Sequence, residues 1–144
     1  MNNSGNWLLW SVLSALFAAL TAVLAKVGVK GVHPDFASLI RTFVVLIALS
    51  LFVWTTGNLS NPFRLSAKTI GFLIASGLAT GLSWVCYFRA LNVGDVSKVA
   101  PIDKLSVVFV AVMAFLFLGE RPTSREWIGI ALITIGALVL VVKK

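Results

Sequence analysis

Apolar residues in this 144-residue sequence come in runs of helix length separated by short polar stretches. A helix needs on the order of 20 mostly apolar residues to cross a bilayer, because hydrocarbon offers backbone amides and carbonyls no partner. Five runs approach that length, at about 6–27, 35–54, 69–91, 97–118 and 125–142. The second carries Arg41 in its second turn, and the third is uncharged as far as Phe88. The fifth is short, but Arg125 and Lys143–Lys144 at its flanks can snorkel to headgroups, with Trp127 at the interface. The expected fold is an all-α membrane protein, a five-transmembrane-helix bundle forming one domain over residues 1–144, in contact with the lipid bilayer of the cell membrane.

Composition excludes the soluble classes. Hydrophobic residues make up 59% of the chain and charged ones only 12%, far from the balance of a soluble domain. The net charge of +7 is spread over loops and segment ends with no clustered basic face, so nucleic acid is not an expected partner. Cys86 is the single cysteine, His33 has no second ligand at metal spacing, and no nucleophile–base pair or phosphate-binding glycine loop occurs. Neither an enzyme nor a cofactor or metal site is expected. The apolar stretch from Trp7 to Ala25 reads as a retained first helix, since no basic residue precedes it and it exceeds the usual signal core of about 7–15 residues. The connections hold turn chemistry only, including Asn61–Pro62 and Pro122.

Orientation is weakly marked. Lys26, Lys30, Arg89, Lys98, Lys143 and Lys144 fall on one face, which reads as cytoplasmic, against Arg64, Lys68, Arg121 and Arg125 on the other. So small a bias suits a chain that inserts both ways.

A charge near the bilayer centre costs about 2.5–3.5 kcal/mol, so each one held there needs a partner or a watery cavity. Four basic groups, Lys26, Arg41, Arg89 and Lys104, stand near or within the spans against Asp103 and Glu120, a balance that favours anionic or zwitterionic solutes. Asp103 and Lys104 follow Ser97-Lys98-Val99-Ala100-Pro101-Ile102. Pro101 either frees the carbonyl of Ser97 and weakens the first turn into a solute or proton site, or is itself the first residue of the helix. Arg89 either snorkels or faces a cavity. Glu120 sits at an unfavourable helix end and is expected to pair with Arg121, Arg125 or a more distant base.

Small residues offer packing faces: Ser11, Ala15, Ala18, Ala22 and Ala25 in the first run, Gly77 and Gly81 in the third, Gly129 and Gly136 in the fifth. Ser76, Thr80, Ser83 and Tyr87 form a hydroxyl stripe that serves as interhelical glue or lines a solute path. Trp84 and Tyr87 either pack in the bundle or stack on a ligand.

These segments in this order resemble the EamA-type domain of the drug/metabolite transporter superfamily, in particular its small five-helix bacterial and archaeal members. The resemblance rests on Trp7, Lys26, Arg41-Thr42, the run Gly77 to Trp84, Tyr87 to Leu91, Ser97 to Lys104, Leu118-Gly119-Glu120, Gly129 and Gly136. It implies a secondary transporter of a small-molecule solute. It further implies that a single repeat of this kind looks like half of a ten-helix fold and is expected to pair, as an antiparallel homodimer. Residue by residue, the resemblance places Arg41, Trp84, Tyr87, Arg89, Asp103 and Lys104 around a central cavity, with Lys26, Gly77, Gly81, Pro101 and Glu120 in structural roles. The first run lacks the acid with which related small multidrug exporters bind cations. The competing reading is a non-transporting membrane subunit that packs against a larger partner.

Overall fold

The structure, a computed structural model, describes residues 6–59 and 65–141; the Asn61–Pro62 turn, Arg64, Lys143 and Lys144 lie outside these. The described residues form helices and connections, with no strand among them. The helices are α1 (Asn6–Gly28), α2 (Pro34–Thr55), α3 (Ala67–Val93), α4 (Val96–Asp103), α5 (Ser106–Met113), continued by a π-helical turn (Ala114–Leu118), and α6 (Ser124–Val139). Among the described residues, four segments are long and apolar enough to cross a membrane: α1, α2, α3 and the composite Val96–Leu118. Their outer surfaces carry exposed large apolar side chains such as Trp10, Phe43, Leu82 and Phe117. Apolar area this continuous is at home in lipid, so the chain is a multi-pass membrane protein in contact with the bilayer.

By internal contacts the chain divides into two units, one spanning Leu24–Asn92 and the other joining the chain before it to the chain after it. In the first, Pro34 opens α2 at the position where a missing amide hydrogen costs nothing, and Asp35 in the first turn suits the positive end of the helix dipole. Side-chain contacts join the start of α2 to the end of α3 and the second turn of α2 to Trp84, one to two turns earlier in α3, so the two helices run antiparallel. Buried between them and the end of α1 are Ala25, Val29, Ser38, Phe88 and Leu91. Ser38, Phe88 and Leu91 lie on the helix faces that alternate three and four residues apart.

In the second unit α4 and α5 pack against α6. The buried positions there include Ala111, Ala114 and Ala137, whose small side chains let backbones approach closely. Thr123 starts α6 with a reciprocal cap: its hydroxyl accepts from the Glu126 amide, and its own amide donates to Oε2 of Glu126 at 2.6 Å. At 16 residues α6 is shorter than the expected run of 125–142, ending as a helix at Val139.

The fourth run departs most from expectation. Helix α4 begins at Val96, with Asp95 at its N-cap, and continues through Pro101 to Asp103, so the reading in which Pro101 opens the helix is overturned. The interruption falls one turn later. Lys104, Leu105, Val107 and Val108 all donate their amides three residues back, at 2.9–3.1 Å, tightening the chain into a turn between α4 and α5. Proline removes one amide and crowds the preceding turn, and the helix gives way beyond it. At the other end of this run, the amide of Glu120 donates to the carbonyl of Ala114, and Gly119 adopts φ 69°, a left-handed conformation that glycine reaches without a side-chain clash.

Candidate functional site

The antiparallel pairing of α2 and α3 creates two layers of charge in the unit Leu24–Asn92. The outer layer is an ion-pair clasp. Arg89 Nε donates to Asp35 Oδ1 at 2.8 Å and its terminal nitrogen to Oδ2 at 2.7 Å, a fork-to-fork geometry. His33 Nδ1 stands 4.0 Å from the same carboxylate. Beside the clasp, Lys26 at the end of α1 donates its ammonium to the carbonyl of Leu91 at 2.6 Å. Leu91 belongs to the last turn of α3, where carbonyls have no partner within the helix, so Lys26 acts as a cap supplied from another helix.

The inner layer is Arg41. Six residues beyond Asp35, it lies about 9 Å further along α2 at 1.5 Å per residue. Its guanidinium carbon sits 4.3 Å from the ring centre of Trp84 and 5.7 Å from that of Phe88. Trp84 and Phe88 are four residues apart on α3 and so present adjacent rings. No carboxylate among the described residues pairs with Arg41. Stacking over a ring stabilises the cation by about 2 kcal/mol when it is desolvated. It engages the flat face of the guanidinium and leaves the N–H fork at its edge for an anion.

The structure therefore brings Lys26, Arg41, Trp84, Tyr87, Phe88 and Arg89 into one unit but gives them different partners. Arg89, expected to snorkel or face a cavity, is matched by a carboxylate; among the described residues Arg41 is matched by aromatic rings. Asp35 was absent from the sequence-derived balance of membrane-proximal charge and is the acid that completes it. The readable signal was position: in an antiparallel pair, the first turn of α2 stands level with the last turns of α3.

Asp103 and Lys104 belong to the other unit. They pair with each other at 3.2 Å at the turn between α4 and α5, with Asp103 half-buried and Lys104 exposed. Asp95 and Lys98, one turn apart, form a second local pair at 3.1 Å. Glu120 departs from expectation, forming no ion pair with Arg121, Arg125 or any other base among the described residues. It is exposed just beyond the Gly119 turn, where an ion pair gains too little to hold two long side chains in one geometry. Thr80, in the hydroxyl stripe, donates to the carbonyl of Ser76 on its own helix. Gly77 and Gly81 are exposed, and a Cβ added at either meets no described atom within 4 Å. Gly129 and Gly136 are equally open. At each of these positions there is room for a side chain among the described residues. Among the described residues no group of histidine, cysteine and acidic side chains is arranged to hold a metal.

Four apolar spans among the described residues, with an arginine held on aromatic rings inside one of them and an ion pair at its end, define a polytopic membrane protein. The chain matches the EamA-like transporter family over residues 5–142 and belongs to it. It is 52% identical over 139 residues to an uncharacterized transporter from Sinorhizobium sp encoded in the cobO 3′ region, covering 96% of this chain and 99% of that one. The uncharacterized transporter YxxF of Bacillus subtilis is 26% identical over 141 residues, covering 97% of this chain but 44% of its own length. A probable 4-amino-4-deoxy-L-arabinose-phosphoundecaprenol flippase subunit, ArnE of Yersinia pestis, is 32% identical over 72 residues, half of this chain and 63% of that one. No solved structure matches.

Proposed function

We propose that this protein is a secondary transporter of a small anionic or zwitterionic metabolite in the cytoplasmic membrane, working by alternating access as a dimer. The observation that carries the solute class is Arg41, a cation within a span with no acidic partner among the described residues and its donor edge free of the stacking contact. Insertion of such a group costs about 2.5–3.5 kcal/mol, a cost that recognition of a carboxylate or phosphate explains and a lipid anchor does not. Trp84 and Tyr87 flank the anion position, and Asp103 with Lys104, at the interrupted fourth span, take a separate part in transport. Lys26, Pro101 and Glu120 keep structural roles.

The dimer reading draws on two facts. Nearly the whole chain aligns to less than half of the Bacillus subtilis transporter, as expected if one EamA repeat of five spans, with α6 as the fifth, is half of a functional unit. The open glycine positions of α3 and α6 provide faces for a second copy, in antiparallel orientation. The same faces suit the second reading, a non-transporting subunit against a larger partner, which the name of the Yersinia relative brings forward. Purification discriminates: a stable homodimer in detergent supports the first, and a co-purifying larger protein supports the second.

The solute class is tested by thermal unfolding of the purified protein against a panel of small carboxylates, phosphates, amino acids and organic cations. A ligand at one hundred times its Kd stabilises by about 2.7 kcal/mol. Stabilisation confined to anions and zwitterions is the expected result; stabilisation by organic cations alone contradicts it.

A further inference from the structure

Between the π-helical turn and the start of α6 lies a groove of about 390 Å³ lined by Phe115, Gly119, Arg121, Pro122 and Trp127. It belongs wholly to the second unit and is formed by residues separate from those around Arg41. Of the five lining residues Arg121 alone is charged, and no carboxylate among the described residues pairs with it. The two neighbouring acids are accounted for: Glu126 is held by the amide and hydroxyl of Thr123, and Glu120 is exposed and does not line the groove. The cap formed by Glu126 also occupies the start of α6, so the groove's attraction for an anion rests on the arginine. Phe115 and Trp127 supply apolar walls, both partly exposed. The groove stands where the apolar span Val96–Leu118 ends, the level at which tryptophan and arginine meet lipid headgroups.

An arginine fork, two aromatic walls and a position at the end of a span match a ligand that is anionic at one end and apolar at the other. We propose that this groove binds the headgroup of an anionic phospholipid, with Arg121 donating to the phosphodiester oxygens and Trp127 and Phe115 packing on the glycerol and the first acyl carbons. A free phosphate satisfies the arginine and leaves both rings without a partner. The left-handed turn at Gly119 and the ring of Pro122 hold the connection between the walls in one shape. The assignment is independent of whether the protein transports anything.

The test is lipid retention by the full-length protein, reconstituted in nanodiscs of mixed phosphatidylglycerol and phosphatidylcholine, extracted in mild detergent and read by native mass spectrometry. Wild-type protein retains phosphatidylglycerol in preference to phosphatidylcholine. Arg121→Gln lowers that retention by about tenfold, the order of one charge-assisted hydrogen bond. Arg121 is exposed, so this substitution opens no cavity, and an unchanged elution profile verifies the fold. Arg125→Gln removes a neighbouring charge that does not line the groove and leaves retention as it was. Equal retention of the two lipids, an undiminished signal in Arg121→Gln, or an equal loss in Arg125→Gln overturns the site. Displacement of phosphatidylglycerol by inorganic phosphate at micromolar concentration overturns the lipid assignment in favour of a free anion.

Discussion

Replacing Arg41 by leucine separates two roles that a charged residue inside a span can have. In a stabilising role, its contacts with Trp84 at 4.3 Å and Phe88 at 5.7 Å are what the protein loses. That loss is about 2 kcal/mol. Against it stands the relief of about 2.5–3.5 kcal/mol from no longer placing a guanidinium in hydrocarbon. The two nearly cancel, and Arg41→Leu is expected to unfold within about 1 kcal/mol of wild type. Function follows a different sum. A charge-assisted hydrogen bond to a solute anion contributes about 1.5–3 kcal/mol, so the variant's apparent affinity falls by about 10- to 150-fold. Arg41→Lys keeps the charge but loses the planar fork, and falls between the two. The assay pairs thermal unfolding in detergent with uptake by proteoliposomes. A variant that transports normally, or one that loses several kcal/mol of stability, refutes the assignment of Arg41 to the solute.

The remaining predictions concern the clasp, the cap, the break and the open faces. Asp35→Asn and Arg89→Gln each lower the yield of folded protein, and the exchanged pair Asp35→Arg with Arg89→Asp restores it in a detergent-solubility assay. Lys26→Met leaves the buried Leu91 carbonyl without its donor and lowers unfolding stability by about 1–3 kcal/mol, read by chemical denaturation in detergent. Asp103→Asn or Lys104→Met abolishes transport in vesicles while the purified protein elutes at wild-type size. At Gly77 and Gly81 an added Cβ meets no described atom, so in Gly77→Leu with Gly81→Leu the helical signal is unchanged, but the monomer–dimer equilibrium measured by light scattering shifts toward monomer by about tenfold.

Much of the fold is readable from periodicity and length, because in lipid every span must satisfy its own backbone. The first three runs became α1, α2 and α3 with small extensions at their ends. The place of the break in the fourth run was not readable. Pro101 announces a weakened helix, but whether the chain yields before, at or after it depends on how α4 and α5 pack against α6. The charge partners divide in the same way. Asp103 with Lys104, adjacent in sequence, form a local pair, whereas Asp35 with Arg89 are 54 residues apart and meet only because α2 and α3 are antiparallel and level at that end. The stacking of Arg41 on Trp84 has the same origin, so the residue types of the candidate site are legible in the sequence and their division into a matched and an unmatched arginine is not. The glycines are less informative: Gly77 and Gly81 read as a helix-packing face, and a Cβ added at either meets no described atom within 4 Å.

Solute counterflow in proteoliposomes tests the central claim most directly. Vesicles holding the purified protein and preloaded with an unlabelled candidate anion are diluted into the labelled form of the same solute. Transient, saturable accumulation that Arg41→Leu removes is the predicted result. Equal traces from protein-containing and empty vesicles across carboxylates, phosphates and amino acids, or accumulation that Arg41→Leu leaves intact, contradict it.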